Sequence, residues 1–427
     1  MEDIFDKCKT DAGYFGQFRK MGERDLTRPT MDPKPGKRMT YNGNEVVMWS
    51  VNNYIGLAEN EEIKAVAAEA LAEYGTSAPM GSRMMSGNTQ FHQDLEKKLA
   101  AWSQKEAAYL FNFGYMGVLG IISSLCGPKD TVIVDRLAHA CILDAAGMAK
   151  ASGSTIRYFK HNNMKDLENV LQQVNAKREG GVIILIEGVY GMTGDLADLP
   201  GICELKDKYN ARLFIDDAHG VGVVGEQGRG AGDYLGVQDK IDLYFGTFAK
   251  SFASIGGFVA ADQDVIDWIA FNARTQVFAK SLPMVYVKAL DKTLDLIIEG
   301  EDRRKKMWEN SNKLKEGLKE LGYYIGPGES PICSVFTPTG SDDVNGVGAR
   351  MVKYLRSKNI FVTAVVYPVI PPGLCMFRMI PTTSHTDAEI QQTIEAFRDM
   401  KKDMDLMDSV TDDDIAKITK VYRNVKK

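Results

Sequence analysis

The sequence predicts an α/β protein: a mostly parallel sheet with helices on both faces, followed by a smaller α+β domain. Two observations carry this. Between residues 105 and 260 five β-rich runs, TVIVD, STIRYF, GVIILIEG, ARLFID and IDLYFGTF, alternate with helical segments such as MKDLENVLQQVNAK at steps of about 25–30 residues. Both faces of these runs are apolar, as in buried parallel strands, rather than alternating as in a sheet open to water on one side. Beyond residue 284 a long helical run to about 321 gives way to short strands, SPICSVFT and IFVTAVVY, a loop YPVIPPG and closing helices. The expected organisation is an N-terminal segment 1–55, a large domain 56–290 and a small domain 291–427.

Taken in order, the first segment reads as an irregular arm ending in the apolar strand of VVMWSVNNYIGLA. Helical spacing follows in EEIKAVAAEALAEY, then a loop of small residues, GTSAPMGSRMMSGN, and a second helix, TQFHQDLEKKLAAW. The uncharged run 107–128, AAYLFNFGYMGVLGIISSLCGP, reads as a buried helix entered through a glycine loop, because its glycines, Asn112 and the serines dilute a membrane span. The last segment, SVTDDDIAKITKVYRNVKK, has acids first and bases last, as a terminal helix would.

Composition narrows the functional classes. A net charge of −5 without blocks of like charge gives no electrostatic reason for a nucleic-acid partner. Six cysteines without a CxxC argue against a zinc site or disulfide scaffold and fit a reducing cytoplasm. The N-terminus lacks the apolar core of a secretory signal.

In parallel sheets ligands gather at the carboxyl ends of strands, so the residues after ARLFI and LYFG matter most. There stand FIDDAHGVGVVG and GTFAKSFASIGGF: Asp216, Asp217 and His219 on one strand end, Lys250 beyond the next. Each has a plain alternative: Asp217 as a helix cap, His219 as a satisfied loop histidine, Lys250 as a surface lysine whose stem packs on apolar neighbours. GVGVVG also matches the GxGxxG dinucleotide pattern, although it follows a late strand and does not open a helix directly. A nicotinamide dehydrogenase is therefore the rival reading.

The combination of FIDDAHGVGVVG with GTFAKSFASIGGFVA closely resembles the α-oxoamine synthases, pyridoxal-phosphate enzymes of the aspartate-aminotransferase-like fold type I. SVNNYIGLA, GSRMMSGNTQFHQDLE, FNFGYMG, VDRLAHACILDAA, EGVYGMTGD, FAKSLP and PPGLCMFRMIPTTSHTDAE have counterparts there in the same order, so the resemblance covers nearly the whole chain. It implies a seven-stranded, mostly parallel sheet. It implies that Lys250 bonds covalently to pyridoxal 5′-phosphate, a role for which desolvation among small residues favours the neutral, nucleophilic amine. It also implies that Asp216 pairs with the pyridine nitrogen, that His219 contacts the phenolic oxygen, that His139 stacks on the ring, and that Glu187 of EGVYGMTGD belongs to the same site.

For the phosphate the resemblance implies the backbone amides of Gly114 and Tyr115 at a helix start, the Thr247 hydroxyl, and Ser281 from a second subunit, hence a homodimer with shared sites. Arg378 in CMFRMIP, alternatively an edge-strand charge, would bind the substrate carboxylate with help from Asn52. The reaction implied is decarboxylative condensation of an amino acid with an acyl thioester. GTFAKSFASIGGFVA, HNNM and PPG lean toward the serine palmitoyltransferase branch, whereas GSRMMSGNTQFH and FAKSLP resemble bacterial enzymes that acylate L-cysteate. A sulfonate would need donors such as Ser82, Arg83, Thr382 and Thr383, with Arg83 alternatively supporting its loop. Glycine C-acetyltransferase and 8-amino-7-oxononanoate synthase are the other members of the family that fit. The acyl carrier, coenzyme A or a carrier protein, and a peripheral membrane contact stay open.

Overall fold

The computed structural model describes residues 3–10, 28–32, 34, 36–326, 328–336, 344–366, 369–370, 375–404, 415–416 and 418. The PPG motif and most of the expected terminal helix lie outside the described residues. Contacts divide the chain into two compact units, Met1–Val51 with Trp308–Val421, and Asn52–Met307. The N-terminal segment thus shares a unit with the C-terminal one. The strands β1 (Arg38–Tyr41) and β2 (Asn44–Met48) form an antiparallel hairpin whose apolar end, Val46–Met48, is buried. A lone hairpin is marginal in water. Here Val47 and Met48 gain a parallel partner in residues 360–361.

The larger unit is built on seven strands: β3 (Ala107–Phe111), β4 (Thr131–Asp135), β5 (Thr155–Phe159), β6 (Val182–Glu187), β7 (Arg212–Asp216), β8 (Leu243–Thr247) and β9 (Gly257–Ala261). Their order across the sheet is β3-β9-β8-β7-β6-β4-β5, and β9 alone runs against its two neighbours. The five predicted runs are β4 to β8. The sequence reading missed β3 and β9. Run 107–128 is not one helix: AAYLF is a strand, and the helix Gly114–Leu125 begins three residues later. Short apolar runs do not distinguish strand from helix, and what decides here is the antiparallel pairing of β3 with β9. Among the described residues no helix is long and apolar enough to cross a membrane.

Helix starts follow local chemistry. Asn60, Thr89, Asn163 and Asp198 each accept a backbone N–H in the first turn of the helix they precede. In the other unit Thr386 and Glu389 form a reciprocal capping box. The predicted helical run after 284 breaks at Gly300 into Met284–Ile298 and Glu301–Glu320.

The remaining strands are β10 (Tyr324–Ile325), β11 (Cys333–Phe336), β12 (Ile360–Phe361), β13 (Ala364–Val365) and β14 (Met376–Met379). Four of them form an antiparallel sheet ordered β10-β11-β14-β13, while β12 joins β2. Each unit has its own core: Val134, Leu185, Phe214 and Phe245 lie in one, Trp49, Val335, Phe377 and Phe397 in the other.

Candidate active site at the carboxyl ends of the central strands

Parallel strands place their last residues along one edge of the sheet, and here these are Asp135, Glu187, Asp216 and Thr247. Glu187 and Asp216 are direct neighbours in the register of β6 and β7, and both are buried. Like charges so close cannot ionise freely. Burial first, then the Asp216 carboxylate, push Glu187 up to about 8, against the N–H bonds from Gly191 and His139 and the Lys250 charge. Gly191 donates to Glu187 Oε2 at 3.1 Å.

Asp216 takes the N–H of Ala218 at 3.1 Å on Oδ1 and the thiol of Cys141 at 3.4 Å on Oδ2. Burial and the Asp216 and Glu187 carboxylates hold that thiol protonated, so it serves as a donor. Cys141 was not singled out in the sequence. The available signal was its place two residues after His139 at a helix start. His139 is the N-cap of the helix Ala140–Ala151, and its Nδ1 accepts the Cys141 N–H at 3.3 Å. An accepting Nδ1 leaves the proton on Nε2. The Tyr115 ring stands edge-on to His139 with centroids 6.5 Å apart, and its hydroxyl donates to Asp144.

Asp217 is not a cap of the helix kind expected. It is buried, accepts Ala231 N–H at 2.7 Å and the Tyr244 hydroxyl at 3.2 Å on Oδ2, and leaves Oδ1 without a partner. Burial is the main cause that raises it to about 7. His219 is buried, with Nδ1 2.8 Å from the Tyr54 hydroxyl, an anchor missed because it lies far away in sequence. A Cβ on Gly191 would stand 2.3 Å from His219 Nε2, so this glycine is what lets the imidazole approach.

Lys250 lies half-buried in the turn between β8 and β9, closed by the Ala253 N–H on the Lys250 carbonyl at 2.8 Å. Its charge lowers the carboxyl groups of both Glu187 and Asp217, which places it in their field. The GVGVVG segment folds as turns, with Gly222 at φ +76°, and leads into the short 3-10 helix Glu226–Gly228 rather than an α-helix. A Cβ on Gly222 would stand 2.6 Å from Ser251 Cβ. Its glycine therefore serves close packing beside Lys250, and the dinucleotide reading loses its basis.

Thr247 and Gly114 lie close together: a Cβ on Gly114 would come 2.9 Å from Thr247 Oγ1. The helix that Gly114 opens has no side-chain cap at Phe113, which leaves its first amides for an anion. An uncapped helix start, a glycine cradle beside a hydroxyl, and a carboxylate next to a lysine's field fit a phosphorylated pyridine with a reactive carbonyl.

The other expected residues stand in the following local settings. Ser281 is buried, and its Oγ donates to the Gly81 carbonyl at 3.0 Å. Ser82 pairs in an isolated bridge with Lys280. Arg83 is spent locally: Nη1 and Nη2 bind Glu96 at 2.7 and 2.8 Å and Nε binds Asn88 at 3.0 Å, over the Tyr109 ring. That geometry favours the loop-supporting alternative over donation to a substrate. Asn52, half-buried, opens the larger unit. Arg378 stands on β14 in the smaller unit, between β11 and β13. On one side Arg378 pairs with Ser334 of β11, while the ladder to β13 covers Phe377 and Met376.

The family model for aminotransferase class I and II matches residues 44–397, and the chain belongs to that family. A cysteate-C-fatty acyltransferase of Capnocytophaga ochracea is 42% identical over 95% of this chain and 96% of its own. The serine palmitoyltransferase of Sphingomonas wittichii superposes with a TM-score of 0.86 at 29% identity, covering 95% of this chain and 100% of that one. A second solved serine palmitoyltransferase, described with PLP as internal aldimine, has a TM-score of 0.86 at 28% identity over 95% and 100% of the two chains. The fold is that of the fold type I pyridoxal-phosphate transferases. Within it, the chain is a pyridoxal-phosphate-dependent acyltransferase of the α-oxoamine synthase type.

Proposed function

We propose that the chain condenses L-cysteate with a long-chain fatty acyl thioester to give a 3-keto aminolipid precursor of a sulfonolipid. The strand-end cluster around Glu187, Asp216 and Lys250 supports the chemistry; the 42% identity to a cysteate-C-fatty acyltransferase over 95% of the chain carries the choice of amino acid.

Pyridoxal 5′-phosphate, when bound, supplies the electron sink for a carbanion at the amino-acid Cα. The amides of Gly114 and Tyr115 and the Thr247 hydroxyl hold its phosphate, and Asp216 holds the pyridine nitrogen protonated. His139 and His219 flank the ring, with Tyr54 fixing His219. Lys250 carries the cofactor between turnovers, takes the Cα proton and returns one after CO2 has left. The new bond joins Cα to the acyl carbon as the thiol departs, and the amino acid's own carboxylate is lost as CO2. Arg378, with Asn52, binds that carboxylate before it leaves. Ser281 acts on the phosphate in the second subunit, so the working enzyme is a homodimer. Six free cysteines accord with a reducing cytoplasm as its place of work.

Adding cysteate, serine, glycine and alanine separately to the cofactor-loaded enzyme tests the amino acid. Cysteate is expected to shift the visible spectrum and to release CO2 once palmitoyl thioester is supplied, on coenzyme A or on a carrier protein. Turnover of serine with no response to cysteate overturns the substrate. Borohydride is expected to label Lys250 in the wild type, and Lys250→Ala to abolish both label and turnover.

A further inference from the structure

The HNNM stretch after β5 carries a buried ionic cluster that the chemistry above does not use. Both ring nitrogens of His161 face carboxylates: Nδ1 is 3.0 Å from Asp135 Oδ1 and Nε2 is 2.7 Å from Asp195 Oδ2. Ionised carboxylates only accept, so both nitrogens carry protons and the ring is an imidazolium. Burial opposes that charge, but Asp135 and Asp195 outweigh it and raise His161 to about 10. The Tyr190 ring closes a third side, edge-on at 4.4 Å between centroids.

Each carboxylate also ties down a turn. Asp135 ends β4 and accepts Leu137 N–H at 2.8 Å and Asn162 N–H at 2.9 Å. That turn delivers His139 to its helix two residues later. Asp195 accepts the Thr193 hydroxyl, and its carbonyl takes the Tyr190 N–H at 2.9 Å. This second turn presents Gly191 to Glu187 and to His219. Asn162, at φ +49°, adds a bond to the Leu196 carbonyl at 2.8 Å and one from Asp198 N–H at 2.8 Å.

We propose that His161 is a positioning residue: it locks the turn carrying His139 to the turn carrying Gly191, and so sets the wall formed by His139, Glu187 and His219. The inference rests on the reading of those three residues as the cofactor's surroundings. Stability alone does not account for the triad, because apolar side chains of similar volume commonly serve a buried site as well or better. The two turns leave the paired strands β4 and β6, and Asn162 bonds to both; what the triad adds beyond the strand ends is a charged side-chain clamp whose two ends are fixed at 3.0 and 2.7 Å.

The test compares wild type, His161→Asn and Asp195→Asn as holoenzymes and as reconstituted apo proteins. The readouts are the dissociation constant for pyridoxal 5′-phosphate, the visible band of the bound cofactor, and kcat and KM separately. Both variants are expected to bind the cofactor roughly tenfold more weakly, with a shifted band and a fall in kcat at little changed amino-acid KM. The double variant is expected to be no worse than the poorer single one. Folded variants with wild-type affinity and an unmoved band overturn the proposal. So does unfolding of the isosteric Asp195→Asn, since that marks the triad as structural alone. If His161→Asn does not fold, Asp195→Asn decides. Borohydride labelling of Lys250 in the wild type separates the two levels: without it the cofactor assignment fails, and with it a null result in the variants removes only the role of His161.

Discussion

Two corners of the larger unit bury charge and use it in opposite ways. At Arg83 the circuit is closed: a two-pronged guanidinium–carboxylate pair with Glu96, whose Oε1 also accepts Leu110 N–H at 2.9 Å on the edge strand β3. At the strand ends acceptors and helix-start donors are left unpaired. Glu187, Asp216 and Asp217 crowd together, Asp217 Oδ1 has no partner, and the nearby helix start has no cap. A cavity of about 390 Å³ opens beside the Arg83 corner, lined among others by Glu96, Tyr109 and Phe271. A satisfied ion pair stabilises, whereas polar groups left unpaired are available to a ligand.

The largest effect that would sharpen this contrast is in Asp216→Asn. The amide keeps the Ala218 bond but cannot hold a pyridine nitrogen protonated. A fall in kcat of about 10³-fold is expected with an apo melting temperature close to wild type, since the loss is electrostatic and confined to the reaction. Steady-state kinetics beside thermal unfolding checks it. Full activity, or unfolding, would erase the distinction between the corners.

Glu96→Gln should do the reverse. It leaves the Arg83 guanidinium buried against a neutral amide, and breaking a buried pair costs about 3 kcal/mol or more. The melting temperature is expected to drop clearly while kcat per folded, cofactor-loaded molecule stays within about twofold of wild type. A selective loss of activity toward cysteate at unchanged stability would instead return Arg83 to the substrate.

The difference between the corners was only half legible in the sequence. Asp216, His219 and Lys250 stood out because parallel strands align their ends, and strand ends can be counted from apolar runs, whereas Thr247 came only from the family resemblance. Arg83 was misleading because its partner Glu96 lies on the next helix, and only the fold shows that all three guanidinium nitrogens are engaged. Tyr54 on His219 and Cys141 on Asp216 are contacts across 165 and 75 residues, with no local pattern to announce them. Strands β3 and β9 escaped because β3 runs straight into a helix start and β9 opens on a glycine, so neither stands out as a bounded apolar run. The hairpin β1–β2 escaped its true unit because its partner β12 comes some 300 residues later.

The smallest effect tests the crowded acceptors themselves. Glu187 is raised to about 8 in the folded apo protein from an ordinary 4.5, so it stays protonated while the unfolded chain has ionised. Its contribution to stability is full below about 4.5 and is lost as pH rises through about 8. Asp217, raised from 3.8 to about 7, acts in the same direction. Between about pH 5.5 and 6.5, where the stabilisation from His161 is still largely intact, one such proton weakens the fold by at most about 1.4 kcal/mol. Glu187→Gln removes that share and leaves the part due to Asp217, together with the opposite contribution of His92 and His385, which burial lowers to about 4. The change in stability from pH 5.5 to 6.5 is therefore expected to be less unfavourable in the apo variant than in wild type by up to about 1.4 kcal/mol, measured by denaturant unfolding at the two pH values. Equal slopes would mean that Glu187 is ionised in the folded protein, and that the strand ends are as well satisfied as the Arg83 corner.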